Sequence, residues 1–518
     1  MLRATSNPVV NLLHTGTLSP QFGDSRLSEK TESVSGEPGG EGGSTSTPAR
    51  PSPAMGLLDT TLFLVTAGCT LQWTATAAAT GPSSLLVWLI GGLTMFVPLS
   101  VCIVYLCSRF PDACGMYAWS ARAFGPFAGF ITGWTYWTGT LAFLPTVLYF
   151  IAGSSLLWSP TNTTSAGTPT YFVCFSLIMI AICAILNVRG LSVAKWLNSA
   201  GAIARWLGTL LLVGFALASC WRFGPATDIN RHTIAPAFRL SDVIFWTTLA
   251  FAWTGPEAVS FMGGEIRDPR HTAPKALTLA APMIAAVYII GTASILLAIP
   301  PERASGVYGV IEAIRHAAAH LGLNWLVPVG AACVVLDRVG SLCLWLGALA
   351  RIPASAGIAE YLPRSFARIH PRHGSPANAI WVQAALVAAL VVLGQSGTSV
   401  RGAYNVLIEM MVVTSMLPFL LLFGAAIKLS SGAPVKGESR IWGGRPVLVS
   451  VAVIGLMATA ASIVVAFVPP PEEEHPAMAV LKVACVTGVL LLVGASLYGI
   501  GNLRMRRQSV TVRSNAVG

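Results

Sequence analysis

The sequence predicts an all-α membrane protein with twelve transmembrane helices. Two observations carry this reading. Hydrophobic residues fill 54% of the 518 positions and charged residues only 10%, whereas a soluble domain carries about 25% charged residues. Long stretches also contain no Asp, Glu, Lys or Arg, among them residues 60–108 and 123–188. So few charges cannot cover a water-facing surface, and the mean hydropathy of +0.68 fits a surface that meets lipid.

A spanning helix needs ~20 mostly apolar residues. The two long stretches each hold two spans, separated by the polar breaks Gly81-Pro82-Ser83-Ser84 and Ser159-Pro160-Thr161-Asn162. The twelve predicted spans cover residues 57–80, 85–108, 125–156, 170–188, 193–221, 243–264, 272–299, 325–350, 376–395, 403–429, 446–468 and 477–500. The runs do not alternate in polarity, which excludes barrel strands.

An even number of spans puts both termini on one side. With that side cytoplasmic, the inside segments carry 23 Lys and Arg and the outside loops 7, as the positive-inside rule requires. A basic inner face against anionic lipid accounts for the net charge of +11, so no nucleic-acid partner is expected. Residues 1–55, rich in Ser, Gly, Pro, Thr and Glu, are expected to be a disordered cytoplasmic tail. A ten-helix core is expected over 56–430, two additional helices over 431–503 and a cytoplasmic tail over 504–518. The ten cysteines form no CxxC pair, and neither a metal site nor a cofactor is expected.

Two spans contain helix breakers. The first reads Thr66-Ala67-Gly68-Cys69-Thr70 and the sixth Phe251-Ala252-Trp253-Thr254-Gly255-Pro256-Glu257. Proline removes an intrahelical bond and pushes the preceding residue out of helical geometry. Opened backbone is tolerated in a membrane only where it lines a cavity or is buried in protein. Breaks in spans one and six have the spacing expected of two inverted five-helix repeats with a site between them. Few ions lie within spans away from the ends: Arg205 in span five, Glu257 in span six, Asp337 and Arg338 in span eight, and Glu409 in span ten. Neighbours on a helix point ~100° apart, so Asp337 and Arg338 are not expected to pair directly.

These residues carry a family resemblance. Residues 251–276, from Phe251 through Gly255-Pro256-Glu257, Gly264-Glu265-Ile266, Pro269 and Pro274 to Ala276, resemble the sixth helix and following loop of amino acid–polyamine–organocation (APC) permeases. Residues 108–134 and 350–371 are similar to that family's segments after helices two and eight. The resemblance runs from about residue 57 to 430. It implies a 5+5 inverted repeat plus two C-terminal helices. It also implies a secondary transporter of an amino acid, or alternatively of a polyamine or other organocation, by proton symport or exchange.

The resemblance further implies that Gly68, Cys69 and Thr70 meet a carboxylate, and that Phe251, Trp253 and Gly255 surround the amine and side chain, with Glu257 adding charge. Gly68→Val is then expected to add bulk only where the ligand sits. The helix-five position of Arg205 corresponds to a lysine in several relatives, so Arg205 would act as a fixed charge in place of sodium. Glu257 and Asp337 are the proton-coupling candidates. Glu265 with Arg109 or Arg351 would form a cytoplasmic gate. This sequence departs from the family at Gly68-Cys69-Thr70, where many relatives have Gly-Ser-Gly, and at Tyr105, where a Glu is common. An embedded enzyme would need clustered catalytic motifs, and a channel or sensor would lack paired broken helices. The expected partners are thus a small-molecule substrate, lipid and possibly protons.

Overall fold

The structure is a computed structural model. It describes residues 55–515 apart from 111–114, 157–167, 190, 236–239, 262–265, 351, 355–357, 364, 367, 369, 371–374, 433–442 and 470–474. The expected disordered tail therefore lies outside the described residues, as do Glu265, Arg351 and the polar break at 159–164.

Among the described residues all regular structure is helical, apart from one isolated parallel bridge between Met55 and Ile266. Apart from the single turn Arg231–Ile234, the α-helices are α1 (Leu57–Gly68), α2 (Leu71–Ala78), α3 (Ser84–Arg109), α4 (Met116–Phe124), α5 (Pro126–Ser155), α6 (Pro169–Arg189), α7 (Leu191–Phe223), α8 (Leu240–Ala252) and α9 (Ala258–Phe261). After these come α10 (Pro269–Ala298), α11 (Gly309–His320), α12 (Val327–Leu349), α13 (Ala377–Gln395), α14 (Val400–Leu429), α15 (Gly444–Val465) and α16 (Pro476–Asn515). Among the described residues ten helices are long and apolar enough to cross a membrane. The shorter apolar helices are the leading halves of the two broken segments, Leu57–Gly68 and Asp242–Ala252.

Boundaries follow local chemistry. The Asp59 carboxylate accepts the Gly56 N–H at 3.0 Å and caps α1. Gly125, at φ +97, separates α4 from α5, whose first residue is Pro126. The last helix runs to Asn515, fifteen residues past the predicted end, because helical backbone continues into the basic segment after the apolar stretch ends.

Burial orders the bundle. α5 and α14 are buried along nearly their whole length and pack against each other, with α12 also on α5 and α15 on α14. Their close approach depends on Gly139, where a Cβ would come within 2.7 Å of the Ser415 backbone nitrogen. α7 lies along α12, and α1 along α10. α15 and α16 leave most of their surface outward, with Val464, Leu481 and Leu492 exposed, as a lipid-facing helix does.

Candidate functional site

Both expected breaks are present, and they touch. α1 ends at Gly68. Cys69 (φ −120°, ψ 124°) and Thr70 (φ −140°, ψ 134°) are extended before α2 begins. α8 ends at Ala252, and helix resumes only at Ala258. Between them Gly255 takes φ +135°, a conformation side chains rarely adopt. A Cβ on Gly255 would sit 3.0 Å from the Gly68 Cα, so the two glycines let the breaks meet backbone to backbone.

Side chains tie up the opened backbone. The Glu257 carboxylate accepts the Gly255 N–H at 2.7 Å and is hydrogen-bonded to Tyr136 of α5. The Tyr288 hydroxyl of α10 reaches the carbonyls of Gly68 at 2.6 Å and Ala252 at 3.0 Å. The Thr254 N–H and hydroxyl both donate to the Phe251 carbonyl at 2.8 Å.

Around the breaks lies a cavity of about 50 Å³, space for a few waters. Ala67, Gly68, Thr70 and Trp73 line it from the first broken segment, and Phe251, Ala252, Thr254, Gly255 and Glu257 from the second. Tyr136, Thr140 and Phe143 of α5 join them, with Tyr288, Trp345, Ser415 and Phe419. The buried hydroxyls of Thr70 and Ser415 have no hydrogen-bond partner among the described residues. Such orphaned groups are rare in a settled interior.

Trp73 closes one wall, stacked on Phe143 (6.2 Å, 23°) and edge-on to Phe251 (5.9 Å, 70°). One residue earlier, the Gln72 Nε2 donates to Thr146 Oγ1 at 3.2 Å and to the Tyr404 hydroxyl at 2.9 Å. Tyr404 also lines a second cavity of about 390 Å³ with Thr76, Thr248, Gly306, Arg401 and Glu409. Glu409, in the outer half of its predicted span, thus lines this cavity.

Of the residues singled out in the sequence, Gly68, Thr70, Phe251, Gly255 and Glu257 converge on the small cavity. Cys69 and Trp253 are not among its lining residues. Extended backbone sends successive side chains to opposite sides, so Thr70 faces the cavity while Cys69 lines a crevice with Arg205. The Trp253 indole packs over Gly91 and Gly92 of α3 and donates to the Trp88 carbonyl at 3.0 Å. The α3 backbone is a π-helix from Gly92 to Phe96. The Gly68 Cβ direction also differs from expectation. It points at Ile284 Cδ1, 3.1 Å away, so added bulk there strikes α10.

Arg205 and Asp337 are brought together as a buried pair, Nε to Oδ1 at 2.8 Å. Arg338 also binds Asp337, Nη2 to Oδ2 at 2.6 Å and Nε to Oδ2 at 2.9 Å. This corrects the expectation that Asp337 and Arg338 would not pair. Adjacent Cβ atoms do diverge, but the arginine side chain is long enough to fold back onto its neighbour. Arg205 Nη1 donates to the Thr66 carbonyl at 2.9 Å, joining the triad to the last turn of α1. Of the gate candidates only Arg109 is described. It is buried, its Nη1 donating to the Tyr105 hydroxyl at 2.9 Å.

Tyr136, Tyr288, Trp345 and Ser415 escaped the sequence reading. Each sits within a continuous helix with no charged residue beside it, so no intramembrane charge marks it.

The chain matches the profile of a family described as amino acid permease over residues 55–491. It is similar to an uncharacterized transporter of Legionella pneumophila, 27% identical over 80% of this chain and 90% of that protein. It is also similar to a probable agmatine/putrescine antiporter of Lactococcus lactis, 23% identical over 58% of this chain and 63% of that one. Asc-type amino acid transporter 1 of Mus musculus is 25% identical over 61% of this chain and 59% of its own length.

Proposed function

The chain belongs to the amino acid permease family, and from that premise we propose that it is a secondary active transporter moving an amino acid across the membrane. The family's members are transporters, not enzymes, and ten apolar helices make the chain an integral multi-pass membrane protein. In our reading transport proceeds by proton symport or exchange, with alternating access around the cavity between the two broken segments. Each broken segment counts as one span, giving twelve in a 5+5 inverted repeat plus two, with both termini cytoplasmic.

One observation carries the reading. Two helix breaks from distant parts of the chain meet at a cavity where the buried Thr70 and Ser415 hydroxyls have no partner among the described residues. A ligand with both charges suits such a place. The N–H end of α2 and the Thr70 hydroxyl favour its carboxylate. The Cys69 N–H contributes less than the sequence suggests, because it already donates to the Val65 carbonyl at 3.0 Å. The ammonium lies toward Glu257 and the rings of Phe251 and Trp73, which favour a cation.

Glu257 is the proton-coupling group in this reading. It touches the cavity, whereas both Asp337 oxygens are engaged by arginines. Arg205, held by Asp337 and the Thr66 carbonyl, serves in this reading as a fixed charge and not as a proton carrier.

A polyamine or other organocation is the second substrate class, favoured by the aromatic walls and the Glu257 carboxylate. Uptake of labelled amino acids, agmatine and putrescine into proteoliposomes, with and without an imposed pH gradient, tests both. Saturable uptake of an amino acid that the gradient drives uphill supports symport. Uptake only against internal substrate supports exchange. No flux of any probe under either condition rejects the proposal.

A further inference from the structure

We propose that Cys183 and Cys343 form an oxidation site: a small neutral peroxide converts the two touching thiols into a disulfide that staples α6 to α12 and slows transport. The effect on rate rests on the transport reading; the staple itself does not.

The sulfurs are already in contact. Cys183 of α6 and Cys343 of α12 lie 160 positions apart in the chain, yet their Sγ atoms are 3.1 Å apart. Both residues are free thiols and fully buried. A disulfide holds its sulfurs about 2.05 Å apart, so an approach of about 1 Å closes the bond. Rotation of the two side chains supplies it where the backbones run close, and here they do. Asn187, one turn beyond Cys183, donates through Nδ2 to the carbonyls of Cys183 at 2.9 Å and Cys343 at 3.1 Å. Gly347, one turn beyond Cys343, has no room for a side chain, since a Cβ there would strike the Asn187 Oδ1. One amide thus clamps the two helices beside the sulfur pair.

The chemistry balances with one oxidant. Hydrogen peroxide gives one oxygen to the first thiol, which becomes a sulfenic acid, and its other oxygen leaves as water. The second sulfur attacks the sulfenic sulfur and displaces a second water. Two thiols and one peroxide therefore give one disulfide and two waters; the sulfurs lose two electrons and the peroxide gains them. A sulfenic acid without a nearby thiol is open to further oxidation. Here the resolving thiol is in contact from the start. Burial selects the reagent: bulky thiol reagents need an accessible sulfur, whereas peroxide is small and uncharged.

α12 carries what the link would hold. Asp337 and Arg338 of the triad precede Cys343 on this helix, and Trp345 of the cavity wall follows it. In the reduced protein α6 and α12 meet through packing and the Asn187 bonds, which allow small shifts. A covalent link does not, and alternating access needs helices around the site to shift.

The test uses the full chain, purified under reductant and reconstituted, with the reductant then removed. Accessible thiols, among them the exposed Cys174 and Cys485, are blocked with N-ethylmaleimide before hydrogen peroxide is added. Peptide mapping without reduction is expected to show Cys183 joined to Cys343 as the main cysteine product, cleaved again by dithiothreitol. The melting temperature is expected to rise while the link is present, and Cys343→Ser to lose both effects. If Cys343→Ser gives no monodisperse protein, Cys183→Ala makes the same comparison. Sulfinic acid on either cysteine in place of the link overturns the site. So do two free thiols in protein whose exposed methionines the peroxide has oxidised.

Initial uptake of whichever amino acid, agmatine or putrescine probe the wild type carries gives the rate. Peroxide is expected to lower the saturated rate at least about threefold, dithiothreitol to restore it, and Cys183→Ser to be insensitive. A linked protein with an unchanged rate overturns the control of transport. An equal loss in Cys183→Ser does so too, because the oxidation then acts elsewhere. A wild type that carries no probe removes the transport reading and the effect on rate with it, while the peptide map still decides the site.

Discussion

Glu257 combines two duties that a substitution can separate. Its carboxylate accepts the Gly255 N–H, which keeps the break in shape, and it brings an ionisable group to the cavity wall. Glu257→Gln retains an oxygen for Gly255 but no ionisable group. It is expected to abolish uphill accumulation in proteoliposomes while substrate-for-substrate exchange persists; accumulation at the wild-type level would remove Glu257 from coupling. Glu257→Ala loses the acceptor as well and should cost about 1–3 kcal/mol of stability besides, seen as a lower melting temperature than Glu257→Gln. Asp337 presents a different case. Buried between Arg205 and Arg338, it offsets two guanidiniums, and Asp337→Asn leaves them facing each other. Breaking a buried pair in this way costs about 3–5 kcal/mol, so the expected outcome is poor yield or a large drop in melting temperature. A normally stable Asp337→Asn protein would contradict the triad's structural role.

The broken segments are spaced by glycines that face packing neighbours, and the resulting predictions differ from those of an open ligand pocket. A Cβ at Gly68 would press on Ile284 Cδ1 at 3.1 Å. Gly68→Val is therefore expected to lower the melting temperature as well as binding, and Ile284→Ala in the same chain to recover part of the stability. A Gly68→Val protein as stable as wild type would show that α10 yields without cost. The leading half of the first broken segment is also tied to the trailing half of the second: Met55 bridges Ile266, and the Arg267 N–H donates to the Met55 carbonyl at 2.9 Å. Displacement of one half thus draws on the other.

Taken as a whole, the bundle sets its buried Arg109, Arg205 and Arg338 against Glu257, Asp337 and Glu409, and gathers an excess of positive charge in one triad. Two arginines and one aspartate make the triad, and Arg205 grips the Thr66 carbonyl in the last turn of α1. A built-in cation at a helix end removes the need for a dissolved one. Replacing sodium by choline in a flux assay is accordingly expected to leave the rate within about twofold. A strict sodium requirement would defeat this role for Arg205.

How much of this was legible beforehand divides along a physical line. Lipid solvent demands long apolar runs and closed backbone hydrogen bonds, so the helical class and the span positions stand in the order of residues. A proline or an extended glycine acts on its own neighbours, so Gly68 and Gly255-Pro256-Glu257 could be read as breaks from residues a few places apart. Which way a side chain faces is not a local property. Cys69 and Thr70 are adjacent, yet one meets Arg205 and the other the cavity. Asp337 and Arg338 were separated on paper by the helical angle, yet a long flexible side chain joins them. Tyr288 lies 220 positions from the Gly68 carbonyl it bonds, with no charged residue beside it in the sequence. Such contacts come into being only when distant helices pack, because their energy depends on distances between segments that the chain order leaves open.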